Sequence, residues 1–330
     1  MSDCMPQRIL LTGGTGFVGR HLAQALVGRT ELSCMARARS RIDLLPPGVR
    51  VFQADIAGGQ GIDAAMAGQD CLIHLAATLF SSSWRHYLRD AANMAQRLGS
   101  AAQRAGIRRV VVVSSLAATG PSAQSPGVPD DASPAPVSAY GWSKYLAELA
   151  FAQELGPEAR PEARLVVLRP PIIYGPGDRG LLPCFKAAKL GLVMAPRGHF
   201  PVSAVHVRDA VQGILCCLKP EARGVYHIND GAEHSMASLG RAMAAAQGRG
   251  ALALPVPRPA LAVSAALAGL AACLGLPPAS WNMDKYREAC GAGWLCSAAR
   301  ISSELGYGPS MPLREGMADA VAGYKALGWL

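Results

Sequence analysis

Charge is scarce in this sequence: Lys, Arg, Asp and Glu make up 17% of 330 residues, against 50% hydrophobic residues. That balance excludes a disordered tail protein, which lacks the apolar residues needed to offset chain entropy. It also excludes a coiled coil, which needs far more Glu and Lys. The nine cysteines contain no C-x-x-C, and Cys216 and Cys217 are adjacent, which is poor geometry for zinc. No metal site is therefore expected. An odd number of cysteines spread along a long chain fits a reducing cytoplasm better than a disulfide framework. No signal peptide is read at the N-terminus, because Met1 to Leu11 is short and runs directly into a glycine motif. Long apolar runs are nearly absent. The exception, Ala260–Leu276, is 17 residues long and rich in Ala and Gly, at the short edge of a membrane span. A buried helix is the expected reading. A lid over a greasy substrate or a membrane surface contact are the alternatives.

Acidic residues are the scarcer sign: 23 against 32 basic ones, for a formal net charge of +9. Residues 1–110 hold 13 basic and 7 acidic side chains, so most of the excess lies in the first third. A basic surplus first suggests nucleic acid or an anionic membrane. No basic stripe interleaved with aromatics is present, so no nucleic-acid partner is expected and a solvated Arg-rich surface is the plainer reading.

What is there is alternation. Arg8–Thr12, Leu32–Ala36, Val49–Gln53, Cys71–Leu75, Val110–Ser114 and Leu165–Arg169 are short runs rich in Val, Ile and Leu, as strands covered on both faces should be. Helical patterns lie between them at Phe17–Val27, Trp84–Ala105 and Ala139–Glu154. Strand–helix alternation predicts an α/β fold with a Rossmann-type, doubly wound parallel sheet. Residues 120–136 hold five prolines and read as a loop. Past about residue 175 the pattern loosens. The expected division is a dinucleotide-binding domain over 1–175 and a smaller substrate lobe over 176–330, interleaved with the last sheet strands.

The first strand leads into Gly13-Gly14-Thr15-Gly16-Phe17-Val18-Gly19, in which Gly14, Gly16 and Gly19 satisfy G-x-G-x-x-G. Glycines permit the tight turn and let backbone approach a pyrophosphate, while a helix N-terminus supplies free N–H groups and a positive dipole end. The expected cradle is Gly13, Thr15, Gly16, Phe17, Val18 and Gly19. No carboxylate stands at the end of the second strand, where one would meet a free ribose 2′-OH. Arg37, Arg39 and Arg41 stand there instead, and an arginine holds a 2′-phosphate by charge-assisted hydrogen bonds. NADP(H) is thus expected over NAD(H), with Arg37 as the 2′-phosphate residue. Asp55, next to Ile56 after the third strand, is read as an acceptor for the adenine amino group or as a helix N-cap.

Tyr140 and Lys144 are four apart in a helical pattern, so they share a face. A free tyrosine with pKa about 10 is a poor base at neutral pH, and a neighbouring ammonium favours the phenolate. Ser114-Ser115 ends the fifth strand and offers a hydroxyl to orient a substrate oxygen.

These residues resemble the short-chain dehydrogenase/reductase superfamily in its extended branch, which includes NAD-dependent epimerase/dehydratases, 3β-hydroxysteroid dehydrogenases and dihydroflavonol reductases. The resemblance is carried by TGGTGFVG at 12–19, His74-Leu75-Ala76-Ala77, VVVSS at 111–115, YGWSK at 140–144, RPPIIYGPGD at 169–178, Trp294 and LGYGP at 305–309. It implies that Ser115 hydrogen-bonds the substrate oxygen, that Tyr140 transfers the proton, and that Lys144 lowers its pKa and binds the nicotinamide ribose. It further implies that Leu75, Ala76 and Ala77 line the cofactor groove and that Pro170 and Ile173 flank the nicotinamide. A homodimer through Trp84–Ala105 and Ala139–Glu154 is also implied. Two departures stand out. Thr119-Gly120 replaces a common Tyr-Gly, which alters the expected substrate pocket. The helix Asn of the family has no secure match, Asn93 lying about two residues out of register.

The function expected is an NADP(H)-dependent oxidoreductase interconverting a secondary alcohol and a ketone on a mainly apolar small molecule. A nucleotide-sugar epimerase or dehydratase is the second reading, weakened by the missing carboxylate after the second strand. A non-catalytic NADP-sensing protein is the third, weakened by the retained Tyr140 and Lys144.

Overall fold

The computed structural model describes residues 5–76, 84–156, 164–273 and 281–330. Six strands carry the expected pattern: β1 (Arg8–Thr12), β2 (Glu31–Ala36), β3 (Arg50–Gln53), β4 (Cys71–His74), β5 (Arg109–Val113) and β6 (Arg164–Arg169). A seventh, Gly224–His227, completes a sheet whose order runs from it through β6, β5, β4, β1 and β2 to β3. Every pairing in it is parallel. The fold is therefore a Rossmann-type α/β fold, as the alternation predicts.

Period-two packing shows why the strands read as unbroken apolar runs. Ile9 and Leu11 of β1 face one hydrophobic cluster with Val111 and Val113 of β5. Leu10, Val110 and Val112 face a second cluster on the other side. With both faces covered, the middle of β1 and of β5 takes apolar side chains at every position. The helix α1 (Phe17–Leu26) covers the first face, together with helix Val207–Cys216. Helices α2 (Ile62–Met66), α3 (Trp84–Arg104) and α5 (Ala139–Leu155) cover the second. A single turn, α4 (Leu116–Thr119), follows β5.

A separate cluster lies outside the sheet. Phe185, Val202, Met243, Met317 and Tyr324 are buried there, among helices Leu182–Lys189, Met236–Ala245 and Leu313–Ala326. The proline-rich stretch 120–136 is not free of the body. Ser122 and Val128 donate backbone N–H bonds to the carbonyls of Gly293 and Leu295, at 2.9 and 3.0 Å.

One expectation is corrected. The apolar segment expected as a buried helix is a helix, Arg258–Cys273, but Ala265 is its only fully covered residue among those whose side chains are described, while Val263, Leu267 and Leu270 are exposed. Among the described residues it packs against helix Met283–Ala289. Low hydrophobic contrast in an Ala- and Gly-rich run conceals which face is covered. Residues 274–276 lie outside the described residues. Among the described residues no helix is long and apolar enough to cross a membrane.

Candidate active site

The β1–α1 turn is built by close approach. Gly13 has φ +75°, and a Cβ on it would stand 2.7 Å from the amide nitrogen of Ala76. A Cβ on Gly19 would stand 2.1 Å from the carbonyl oxygen of Gly13. Only glycine fits either position. Gly16 caps α1 without a side chain, and the first turn holds no acidic residue. Its N–H groups therefore face the loop surface formed by Gly13, Thr15 and Gly16, with Phe17, Val18 and Gly19 in the opening turn of the helix. This cradle fits the pyrophosphate of a dinucleotide: a bulky side chain is excluded by backbone and the orphan donors favour an anion. Thr12 fastens the neighbouring strand end. Its Oγ1 lies 2.8 Å from His74 Nδ1 and accepts from the Ala76 N–H at 3.3 Å. Burial, and then the charge of Lys144, push the His74 pKa down to about 3, so this ring is neutral. Leu75 and Ala76 lie at this β4 end. Ala77 lies outside the described residues, as do Thr78-Leu79-Phe80.

The end of β2 presents Arg37, Arg39 and Arg41, all exposed. They are not equivalent. Arg41 is paired to Asp43 at 2.6 Å, whereas among the described residues the guanidinium groups of Arg37 and Arg39 are held in no ion pair. Asp55 is exposed after β3. It does not cap a helix, because α2 opens at Gly61, and its Oδ1 accepts instead from the Ala57 N–H at 3.2 Å within its own turn. Ile56 packs against the second cluster beside it.

The start of α5 is capped from several sides. Ser138 Oγ accepts the Gly141 N–H at 2.9 Å. Asp284, on helix Met283–Ala289, accepts the N–H of Ala139 at 2.6 Å and that of Tyr140 at 3.2 Å. Tyr140 and Lys144 lie on one face, with the ammonium 5.9 Å from the ring centroid. Lys144 also donates to the Val113 carbonyl at 3.3 Å, which moors it to the end of β5. Ser115 caps α4, its Oγ accepting from Ala117 N–H at 3.2 Å; among the described residues its hydroxyl proton has no acceptor. A Cβ on Gly141 would stand 2.3 Å from the Ala117 carbonyl, so the second residue of YGWSK is the contact that brings α5 against the Ser115 turn. Pro170 accepts the Leu116 N–H at 2.8 Å, and Ile173 is half-buried in strand Ile172–Tyr174. A small cavity of about 50 Å³ opens beside Lys144, lined also by His74, Ala76, Tyr87, Ser114 and Ser143.

Residues 9–229 match the model of the NAD dependent epimerase/dehydratase family. The chain belongs to that family. Ceramide reductase of Caulobacter vibrioides is 28% identical over 98% of this chain and 96% of its own length. A 2-alkyl-3-oxoalkanoate reductase of Stenotrophomonas maltophilia is 28% identical over 94% of this chain and 97% of its own. Among solved structures, MoeE5 in complex with UDP-glucuronic acid and NAD superposes with a TM-score of 0.77 at 22% identity, covering 97% of this chain and 99% of that one. This epimerase/dehydratase-family chain is an NAD(P)-dependent oxidoreductase of the extended short-chain dehydrogenase/reductase type.

In this family member, several residues near the site are not legible from motifs. Lys285 is one: its ammonium lies 4.9 Å from the Tyr140 ring centroid, on the same helix as Asp284. Burial opposes its charge, but Glu288 at 2.7 Å outweighs that and holds its pKa above the ordinary value. Nothing local in the sequence links residue 285 to residue 140. Glu148 is another, and here a signal existed, since it continues the Tyr140, Lys144 spacing by four. It is buried and forks onto Arg169, with Oε1 accepting from Nε at 3.0 Å. Ser114 also donates to it. Arg169 donates on to Thr119 Oγ1 at 3.2 Å, and Thr119 lies 2.9 Å from His227 Nε2. His227 Nδ1 lies 2.9 Å from Asp130. Asp130 fixes the tautomer with the proton on Nδ1, leaving Nε2 to accept from Thr119. The Thr119 departure thus belongs to a buried network joining α5, β6 and the 120–136 loop.

Asp209 is buried in the first turn of helix Val207–Cys216. Its carboxylate accepts from Ser310 and Met311 at 3.0 Å, while His206 caps that helix and Arg208 pairs with Asp319. Asn93 is exposed on α3. Among the described residues no group of three or more candidate ligands could hold a metal ion.

Proposed function

We propose that the protein is an NADP(H)-dependent reductase that interconverts a ketone and a secondary alcohol on a mainly apolar small molecule. The observation that carries this reading is the placement of Tyr140 and Lys144 on one face of α5, with Ser115 at the adjoining end of β5. A bound nicotinamide would supply or accept hydride. Ser115 would donate its free hydroxyl proton to the substrate oxygen and orient it. Tyr140 would give its phenolic proton to that oxygen as it gains charge, and would take a proton in the reverse direction. Lys144, moored to β5, would hold charge beside the phenol and reach the ribose hydroxyls. Gly13, Thr15, Gly16, Phe17, Val18 and Gly19 would hold the pyrophosphate. Asp55 and Ile56 would border the adenine, and Leu75, Ala76, Pro170 and Ile173 the rest of the groove.

The NADP(H) preference is supported by Arg37 and Arg39, which are uncommitted at the end of β2, where no carboxylate stands. The apolar substrate is supported by the two near-full-length relatives, named as reductases of a ceramide and of a 2-alkyl-3-oxoalkanoate. A homodimer through α3 and α5 fits the exposed Trp142 and Leu149 on α5.

The test is a screen followed by NADPH absorbance, with long-chain ketones and 3-oxo acids beside UDP-sugars. Oxidation of NADPH in step with loss of an apolar ketone supports the reading. Conversion of a UDP-sugar with cofactor retained and not consumed replaces it with the epimerase reading. Tyr140→Phe is expected to lower kcat by roughly 10²–10⁴-fold; full activity in that variant would remove Tyr140 from the proton transfer.

A further inference from the structure

The strands Leu192–Pro196 and Leu252–Val256 form a two-stranded parallel sheet away from the main one. One face is covered: Val193 packs so closely on helix Met236–Ala245 that a Cβ on Gly240 would stand 2.3 Å from it. The opposite face carries Leu192 paired with Leu252 and Met194 paired with Leu254. All four are exposed, Met194 by 71% and Leu252 by 65%, and Leu190 just before the sheet by 78%. A sheet face turned to water ordinarily reads polar. Here both faces read apolar, and contiguous apolar surface of this kind marks an interaction site.

A second exposed apolar stripe follows at once in the chain. Pro257 alone separates the second strand from helix Arg258–Cys273. Val263, Leu267 and Leu270 are exposed on it at spacings of four and three, Leu267 by 61%, which sets them in one stripe.

Charge identifies the occupant. Residues 182–208 and 234–283 contain no Asp or Glu. Lys189 and Arg249 stand at the end where both strands begin, and Arg197 and Arg258 at the end where both finish. All four are exposed, and among the described residues none is in an ion pair. An apolar face rimmed by cations and stripped of carboxylates matches a layer of hydrocarbon beneath anionic headgroups. A second copy of this chain would bring the same cations against themselves in a two-fold contact.

We propose that this face docks the protein on an anionic bilayer, with Met194, Leu252 and Leu267 entering the headgroup boundary and the flanking Lys and Arg contacting lipid phosphates. The docked helix packs on helix Met283–Ala289, whose Asp284 caps the turn carrying Tyr140. Docking therefore sets the start of α5 one helix away from the lipid. The inference does not depend on the reductase reading and holds for any substrate.

The experiment is sedimentation of the purified full chain with vesicles, either pure phosphatidylcholine or phosphatidylcholine with about one third phosphatidylglycerol. Binding to the anionic vesicles is expected to be at least about tenfold stronger and to weaken as salt rises. The triple variant Met194→Ser, Leu252→Ser, Leu267→Ser is expected to lose about tenfold or more, and Lys189→Glu with Arg249→Glu to lose the preference for anionic lipid. Unchanged thermal melting in both establishes that the fold is intact, as exposed positions require. Wild-type protein left in the supernatant, or both variants pelleting like wild type, overturns the proposal. So does a wild-type oligomer that the triple variant turns into a monomer without any vesicle binding, which would assign the face to a second copy.

Discussion

The β1–α1 turn and the small sheet at 192–196 and 252–256 are opposites in how they meet their surroundings. At the turn, backbone lies so close to backbone that Gly13 and Gly19 admit no Cβ, and the neighbouring polar groups are locked by Thr12 and His74. At the small sheet, large apolar side chains are exposed and none of the described residues covers them. The difference teaches where tolerance lies. A site built from close backbone contacts loses its geometry when one methyl is added, whereas an exposed apolar face exchanges side chains with little cost to the fold.

Four tests probe that contrast, beginning with the buried network behind the site. Glu148→Ala leaves the Arg169 charge buried without its partner and should destabilise the protein by about 3–5 kcal/mol, read as a lowered midpoint in urea. Glu148→Leu with Arg169→Met should recover much of that loss, because the isolated charge is then gone. A single-variant midpoint equal to wild type would show the pair to be dispensable.

Gly19→Ala comes next. Its Cβ must displace the Gly13 carbonyl, and a shift of this order should cost on the order of 100-fold in NADPH affinity. Fluorescence titration measures it, and an affinity within about twofold of wild type would show that the turn can yield.

The third concerns acid. His74 titrates near 6.5 when unfolded but near 3 when buried, so the unfolded state binds a proton that the folded state refuses. Stability is intact above about pH 6.5 and is lost as pH falls toward 3, by on the order of 2 kcal/mol between pH 7 and pH 5. His74→Asn should flatten that part of the stability–pH curve. An identical slope in the variant would place the acid sensitivity elsewhere.

Smallest is Leu267→Ser on the exposed helix, expected within about 0.5 kcal/mol of wild type. A larger loss in thermal melting would mean that this helix is covered in solution.

Much of the fold was legible because strands covered on both faces leave an unmistakable apolar run, as at Val110–Val113, and because a glycine turn between strand and helix admits few alternatives. Tyr140 and Lys144 were legible for a similar reason: one helix places positions four apart on the same face. Lys285 and Asp284 were not. They reach Tyr140 across a separation of about 144 residues, and no local spacing encodes that meeting. The helix Arg258–Cys273 misled for a different reason. Its Ala and Gly residues read alike whether covered or open, so composition could not say which face, if any, was buried.

Local order, then, was the sequence's own to determine: which segments extend, which coil, where the chain turns on glycine, and which side chains share a helical face. These follow from backbone sterics and side-chain period, which act over a few residues. Only the tertiary structure decided which carboxylate caps the helix carrying Tyr140 and which apolar surface is left exposed. Those are outcomes of long-range packing, where a partner's presence depends on how distant segments meet.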